Sequence, residues 1–175
     1  MADRVYYAHQ ETPIGRIRLR ACDHGLIALD HINQQEVLKE EWAKDENHPM
    51  LVQAISELTE YFEGERKTFE TPLAPIGTEF QLKVWQALQT IPYAKTASYS
   101  DIADKINNPK AVRAVGAANG RNPLSIFIPC HRIVGKNGKL TGYAGGLDNK
   151  STLLNIERKY SDQPNQTPYF LWVER

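Results

Sequence analysis

Cys130 stands in the run Ile128-Pro129-Cys130-His131-Arg132, preceded by the apolar Leu124, Ile126 and Phe127 and followed by a polar, glycine-rich stretch from Gly135 to Gly146. A cysteine at the end of a buried segment beside pliable backbone is where a reactive thiol would sit. The thiolate is the nucleophile, and an unperturbed thiol with a pKa of about 8.5 is only a few per cent ionised at neutral pH, so a base is required. His131 is adjacent in sequence, but neighbouring side chains on extended backbone point to opposite faces. It therefore reaches Cys130 only across a turn or through a water. Further on, Leu153, Leu154 and Ile156 line one face of a helix, and Glu157 falls on the same face. A carboxylate there needs a partner. His131 is the candidate, which makes Cys130, His131 and Glu157 a nucleophile, a base and an orienting acid. The competing reading is a core cysteine beside a chance histidine.

The elements that must hold these residues can be read from patterning. Val5 and Tyr7, then Ile17, Leu19 and Ala21, then Ile27 and Leu29 mark three short strands separated by turn residues at Thr12 to Gly15 and Asp23 to Gly25, an antiparallel meander. Gln34 to Lys44 reads as a charged helix. Leu51, Ala54, Ile55, Leu58 and Phe62 give a helical stripe ending at Gly64. Thr68 to Gly77, with Pro72 and Pro75, breaks all periodicity and reads as a linker. Beyond it Thr78 and Gln81 match a capping box, opening a helix with Phe80, Val84, Trp85 and Leu88 on its apolar face. A second helix starts at Ser98 or Ser100 and stops near Asn107-Asn108. A third is expected from Pro109, capped by Asn108, and the pair forms a helix-turn-helix pattern. The third helix carries Ala111, Ala114, Gly116, Ala117 and Ala118, with Lys110 and Arg113 as its long side chains. Its small residues suit either close approach to a phosphate backbone or narrow groove, or tight packing against neighbouring helices. A hairpin is expected over Ile133 to Leu140 with Asn137-Gly138 as its turn, and the last helix should be capped near Asp148 or Asn149.

The chain has 175 residues, enough for two cores, and formal net charge zero. That charge is segregated. Residues 1–75 hold eight Lys/Arg against fourteen Asp/Glu, whereas residues 76–150 hold ten against four. A basic unit joined to an acidic one favours a polyanionic partner for the basic half. Cys22 and Cys130 cannot form a disulfide scaffold, and neither a signal peptide nor a long apolar span is evident, so a reducing, cytoplasmic setting without a membrane is expected. His9, His24, His31 and His48 lack ligand spacing, so no metal is expected. The apolar Tyr169 to Val173 should be ordered against the N-terminal half.

From Thr78 to Lys159 the sequence resembles the methylated-DNA:protein-cysteine methyltransferases, the O6-alkylguanine-DNA alkyltransferases of bacterial type. Ile128 to Arg132 and the downstream Gly142-Tyr143-Ala144-Gly145-Gly146 carry the likeness. The resemblance implies an α/β (α+β) chain: a ribonuclease-H-like antiparallel sheet with helices and a linker over 1–75, a mostly helical DNA-binding and alkyl-acceptor domain with the helix-turn-helix over 76–160, and an extension over 161–175. It also implies that Cys130 accepts the alkyl group, with His131 acting through a water and Glu157 orienting it. Tyr99 meets the flipped guanine, and Arg113 fills the space of the extruded nucleotide. Asn122 links the helix-turn-helix to the active site, and the Ile133 carbonyl, Tyr143 and the Ala144 amide line the pocket. Lys110, Ala111, Ala118 and Arg121 join the DNA-binding set. The implied partner is double-stranded DNA carrying O6-alkylguanine, bound in the minor groove by a monomer without a cofactor, with O4-methylthymine as a second substrate. Two departures stand out. The N-terminal zinc ligands of some animal relatives are missing, and the chain from Ser161 to Arg175 runs past the usual end.

The chemistry follows from the bond that must break. A methyl on guanine O6 lies within the base stack, so the nucleotide has to be flipped out before a thiolate reaches it. In-line attack by Cys130 makes a thioether, and a proton from Tyr99 to ring N3 stabilises the leaving guanine. A thioether has no carbonyl for water to attack, so the protein is consumed. A cysteine hydrolase would use the same three residues but would turn over and need no helix-turn-helix. A sensor of alkylated bases without chemistry would not need Cys130.

Overall fold

The structure, a computed structural model, describes residues 3–32, 35–143 and 145–162. The chain divides into two compact units, residues 1–76 and 77–175. The expected order of Tyr169 to Val173 concerns residues outside those described.

In the first unit the alternating pattern forms the meander β1 (Tyr6–Thr12), β2 (Gly15–Cys22) and β3 (Gly25–His31), antiparallel throughout, with Ala8 opposite Leu19 and Leu19 opposite Leu29. Helix α1 (Pro49–Phe62) lays Leu51, Ala54, Leu58 and Tyr61 against the sheet, where Ala8, Ile17, Leu19 and Ala21 are fully buried. Gly64 follows at φ 79, the left-handed turn that ends the helix.

The charged helix expected over Gln34 to Lys44 does not form. Instead β4 (Ala43–Lys44) pairs in parallel with β1, giving the order β3-β2-β1-β4. The reason is that this segment has no apolar stripe to bury, since Val37 and Leu38 are exposed. Its side chains instead complete a polar cluster on the sheet. Arg18 binds Asp30 at 3.0 Å and Glu36 at 3.1 Å, and the Trp42 ring lies 4.8 Å from the Arg18 guanidinium and 4.6 Å from that of Arg20.

The stretch expected as a linker is held down for most of its length. The buried Glu57 carboxylate of α1 accepts from the amides of Glu70 (3.1 Å) and Thr71 (2.9 Å) and from the Thr71 hydroxyl (2.6 Å). Leu26 then bonds both ways with Pro72 and Ala74.

The second unit is mostly helical. Helix α2 (Glu79–Leu88) opens with the expected Thr78–Gln81 capping box, and a Cβ at Gly77 would lie 2.5 Å from the Trp85 ring, so that ring needs glycine there. Helix α3 (Tyr99–Lys105) is capped by Ser98 with Asp101. Helix α4 spans Val112–Gly120 and starts three residues later than expected, with Ala111 at its N-cap and no side-chain cap. Asn107 and Asn108 are already used to close α3. Asn107 sits at φ 59, its amide bonds the Asp104 carbonyl, and the Asn108 amide bonds that of Ala103, the pairing of a Schellman ending. The Asn108 carbonyl then accepts from Ala111, so Pro109 and Lys110 form the turn of the helix-turn-helix. The indole N–H of Trp85 donates to Ala118 O at 2.9 Å and ties α2 to α4.

The expected hairpin reduces to a turn. The Gly135 amide bonds Lys139 O, whereas Ile133 bridges to Ala97. Helix α5 (Leu147–Lys159) begins after Gly146 at φ 93, not at an Asp148 or Asn149 cap, and both of those residues lie in its first turn. Among the described residues no helix is long and apolar enough to cross a membrane.

Candidate active site

Cys130 opens a single 3-10 turn, Cys130–Arg132, immediately after the buried run Leu124 to Ile128. Two features aim this turn. Ile126 holds φ 77, an uncommon conformation for a β-branched residue. Asn122, nearly buried, donates to Ile128 O at 2.8 Å and accepts from Leu124 N at 2.9 Å. Through these two bonds one amide ties the end of α4 to the backbone that leads into Cys130. On the far side the turn is fastened ahead of α3, with Ala97 N bonded to Arg132 O at 2.9 Å and Val134 N to Ala97 O at 2.9 Å.

His131 and Glu157 are both fully buried, and Nε2 of the ring meets Glu157 Oε2 at 2.5 Å. Arg132 closes on the same carboxylate with Nε at 2.9 Å and Nη2 at 3.1 Å, while its Nη1 donates to Ile91 O at 2.7 Å. Glu157 Oε1 also accepts from Ala94 N at 3.0 Å, and Ala94 holds φ 61. Burial alone would raise the Glu157 pKa, but the His131 ring and the Arg132 fork overcome it and hold the carboxyl well below the usual range. Burial lowers the His131 pKa despite Glu157, so the imidazole is neutral. With an ionised carboxylate at Nε2, that nitrogen carries the proton. Nδ1 is then the basic nitrogen, and it has no hydrogen-bond partner among the described residues.

Burial pushes the Cys130 thiol up, and Asn122, Ser125 and Lys150 pull it back in part. Lys150 is wholly buried on α5 and donates to Thr141 O at 2.6 Å. Burial brings its pKa down to about 8, against the opposing influence of Cys130. Burial raises the Tyr143 pKa well above the ordinary value, with Cys130 adding to the rise and Ser125 opposing it. Tyr99, half-buried at the start of α3, places its hydroxyl 3.0 Å from Thr141 Oγ1.

Thus Cys130, His131, Glu157, Asn122, Tyr143 and Ile133 share one neighbourhood, with Tyr99 joined through Thr141 and Lys150. Ala144 lies outside the described residues. The other expected contacts divide. Arg113, Ala114, Ala117, Gly120 and Arg121 form an exposed face of α4, with Lys110 exposed in the turn before it and Ala111 half-buried. Ala118 is turned inward at 3% exposure. The small residues of α4 therefore serve both packing and an open surface. Sequence reasoning assigned no role to Arg132, Ser125, Thr141 or Lys150. Lys150 had a signal: it lies seven residues before Glu157, on the stripe shared by Leu153 and Leu154.

No group of three or more metal-ligating side chains occurs among the described residues. A cleft of about 410 Å³ lined by Lys83, Gln86, Thr90, Lys105 and Asn107 shares no residue with this site.

Comparison with known proteins bears on both units. Residues 79–159 match the family described as 6-O-methylguanine DNA methyltransferase, DNA binding domain, and residues 5–75 match its ribonuclease-like domain. The methylated-DNA–protein-cysteine methyltransferase of Methanosarcina acetivorans is 49% identical over 153 residues, covering 87% of this chain and 98% of its own. The constitutive enzyme of Bacillus subtilis is 50% identical over 157 residues, covering 87% and 95%. Among solved structures, the Mycobacterium tuberculosis O6-methylguanine methyltransferase aligns with a TM-score of 0.83 at 42% identity, covering 90% of this chain and 94% of that one. The same organism's OGT in complex with DNA aligns with a TM-score of 0.81 at 42% identity, covering 90% and 96%. The chain belongs to the 6-O-methylguanine DNA methyltransferase family, the methylated-DNA–protein-cysteine methyltransferases.

Proposed function

We propose that this protein repairs DNA by moving the alkyl group of O6-alkylguanine irreversibly onto Cys130, acting as a monomer in the minor groove of the duplex. The observation that carries the reading is the tautomer fixed at His131: Nε2–H is committed to a buried carboxylate, so Nδ1 is the basic nitrogen beside the Cys130 turn. Because burial raises the thiol pKa, the free protein stores Cys130 as a thiol and ionises it on demand. His131 takes the proton through a water, Glu157, held in place by Arg132, steadies the imidazolium, and Asn122, Ser125 and Lys150 steady the thiolate. Sulfur then attacks the methyl carbon in line with the C–O6 bond. The bonding pair passes to the purine, and Tyr99 donates a proton to N3.

Access requires a flipped nucleotide. Arg113 at the start of α4 is suited to fill the vacated stack, and Ala114, Ala117 and Gly120 let the helix backbone approach closely. Lys110 and Arg121 are placed for phosphates. O4-methylthymine presents the same methyl on a ring-conjugated oxygen and is the second substrate to test. The first unit, residues 1–76, contains none of the groups proposed here for transfer.

The test is incubation with excess duplex carrying labelled O6-methylguanine, followed by peptide mass spectrometry. One methyl per protein on the Cys130 peptide is expected. Turnover beyond one equivalent would sink the proposal in favour of a hydrolase-like cycle, and binding without transfer would favour a sensor.

A further inference from the structure

We propose that Thr141 is a positioning residue for the Tyr99 phenol, donating its hydroxyl hydrogen to Tyr99 Oη while the phenol proton passes to guanine N3. The inference rests on the reading of Tyr99 given above and adds a residue that reading does not use. Each part of Thr141 is engaged. Its hydroxyl lies 3.0 Å from the Tyr99 hydroxyl, and its carbonyl accepts from the buried Lys150 ammonium at 2.6 Å. Its Cγ2 faces Gly135, 3.6 Å from where a Cβ there would stand. With the carbonyl anchored by Lys150, the hydroxyl is directed at Tyr99, which remains half-exposed.

A phenol has one hydrogen to give. If that hydrogen goes to N3, the Thr141–Tyr99 bond persists only with threonine as donor, and the two bonds then polarise each other in series. As sulfur bonds to the methyl carbon and the C–O6 pair moves into the purine, N3 takes the phenol proton. The phenolate left behind is held by the Thr141 O–H until solvent reprotonates it. No other reactant is needed.

The test compares Thr141→Val, which keeps shape without the hydroxyl, and Thr141→Ser, which keeps the hydroxyl, in the full chain. Rates of Cys130 methylation are measured with free O6-methylguanine and with its 3-deaza analogue, in which C–H replaces N3. Loss of one neutral hydrogen bond predicts about a tenfold slower reaction of the valine variant with O6-methylguanine, serine within about twofold of the unaltered protein, and no difference among the three on the 3-deaza base. Equal slowing of the valine variant on both bases, or no slowing on either, overturns the proposal. Tyr99→Phe tests the underlying reading separately. If it discriminates the two bases and Thr141→Val does not, only Thr141 is misassigned. If it fails to discriminate, the role of Tyr99 at N3 falls, and that of Thr141 with it.

Discussion

Replacing Glu157 with glutamine should destabilise the protein more than any other single-atom change in the site. The side chain is fully buried, and its two oxygens accept from Arg132 Nε and Nη2, His131 Nε2 and Ala94 N at 2.5 to 3.1 Å. Whichever way the new amide turns, its NH2 group faces an Arg132 nitrogen that can only donate. The buried guanidinium also loses its counter-ion while keeping its bond to Ile91 O. Removing one member of a buried pair costs about 3–5 kcal/mol, which for a chain of this size lowers Tm by on the order of 10 °C. Methyl transfer should slow by about 10²-fold or more, because His131 loses the group that fixes its tautomer. The folded-state pKa of Glu157 is depressed, so its contribution is present above the unfolded value of about 4.3 and is lost as pH falls through the folded one. The deficit of the variant should therefore be constant from neutral pH to just above that value and shrink in stronger acid. Urea unfolding of both proteins across this range is the assay. A variant within about 1 kcal/mol of the parent at pH 7, or a deficit that widens in acid, would refute the ionised pair.

Cys130→Ala should bind methylated duplex with unchanged affinity by fluorescence anisotropy yet transfer no methyl; transfer by this variant would move the nucleophile to Cys22, the other thiol of the chain. Arg113→Ala should slow repair of duplex DNA far more than reaction with free O6-methylguanine, because its proposed work is done on the helix; equal losses would assign it to the fold or pocket. S-methylated protein should melt below the unreacted form, since a methyl added at the buried Cys130 overfills its site at a cost of about 1–3 kcal/mol; an unchanged melt would remove the packing argument. Burial lowers the pKa of both His131 and His31, so the unfolded chain takes up protons first as pH falls below about 6.5, and stability should decline from pH 7 to pH 5; urea midpoints that rise over this interval would contradict it.

Local signals in the chain determined much of this outcome. Alternation over Val5 to Leu29 specified the meander because period-2 burial admits one register. The Thr78–Gln81 capping box placed one helix start, since a cap is settled by residues three apart, whereas the next start stayed open between Ser98 and Ser100 until the structure showed Ser98 capping with Asp101. Cys130, His131 and Glu157 were legible as a set because a carboxylate on an apolar helix face demands a buried partner. Tertiary structure decided what depends on distant competition. Residues 35–44 gave up a helix because Arg18 and Arg20 offered Glu36 and Trp42 more than solvent did. Asn107 and Asn108, read as a stop and a cap, were both used to end α3, which delayed α4 to Val112. Arg132, Lys150 and Thr141 acquired their roles only when α5 and the loop before it closed over the Cys130 turn. A buried charge or hydroxyl is specified by the partners that desolvate it, and those partners lie as far as 63 residues apart along the chain.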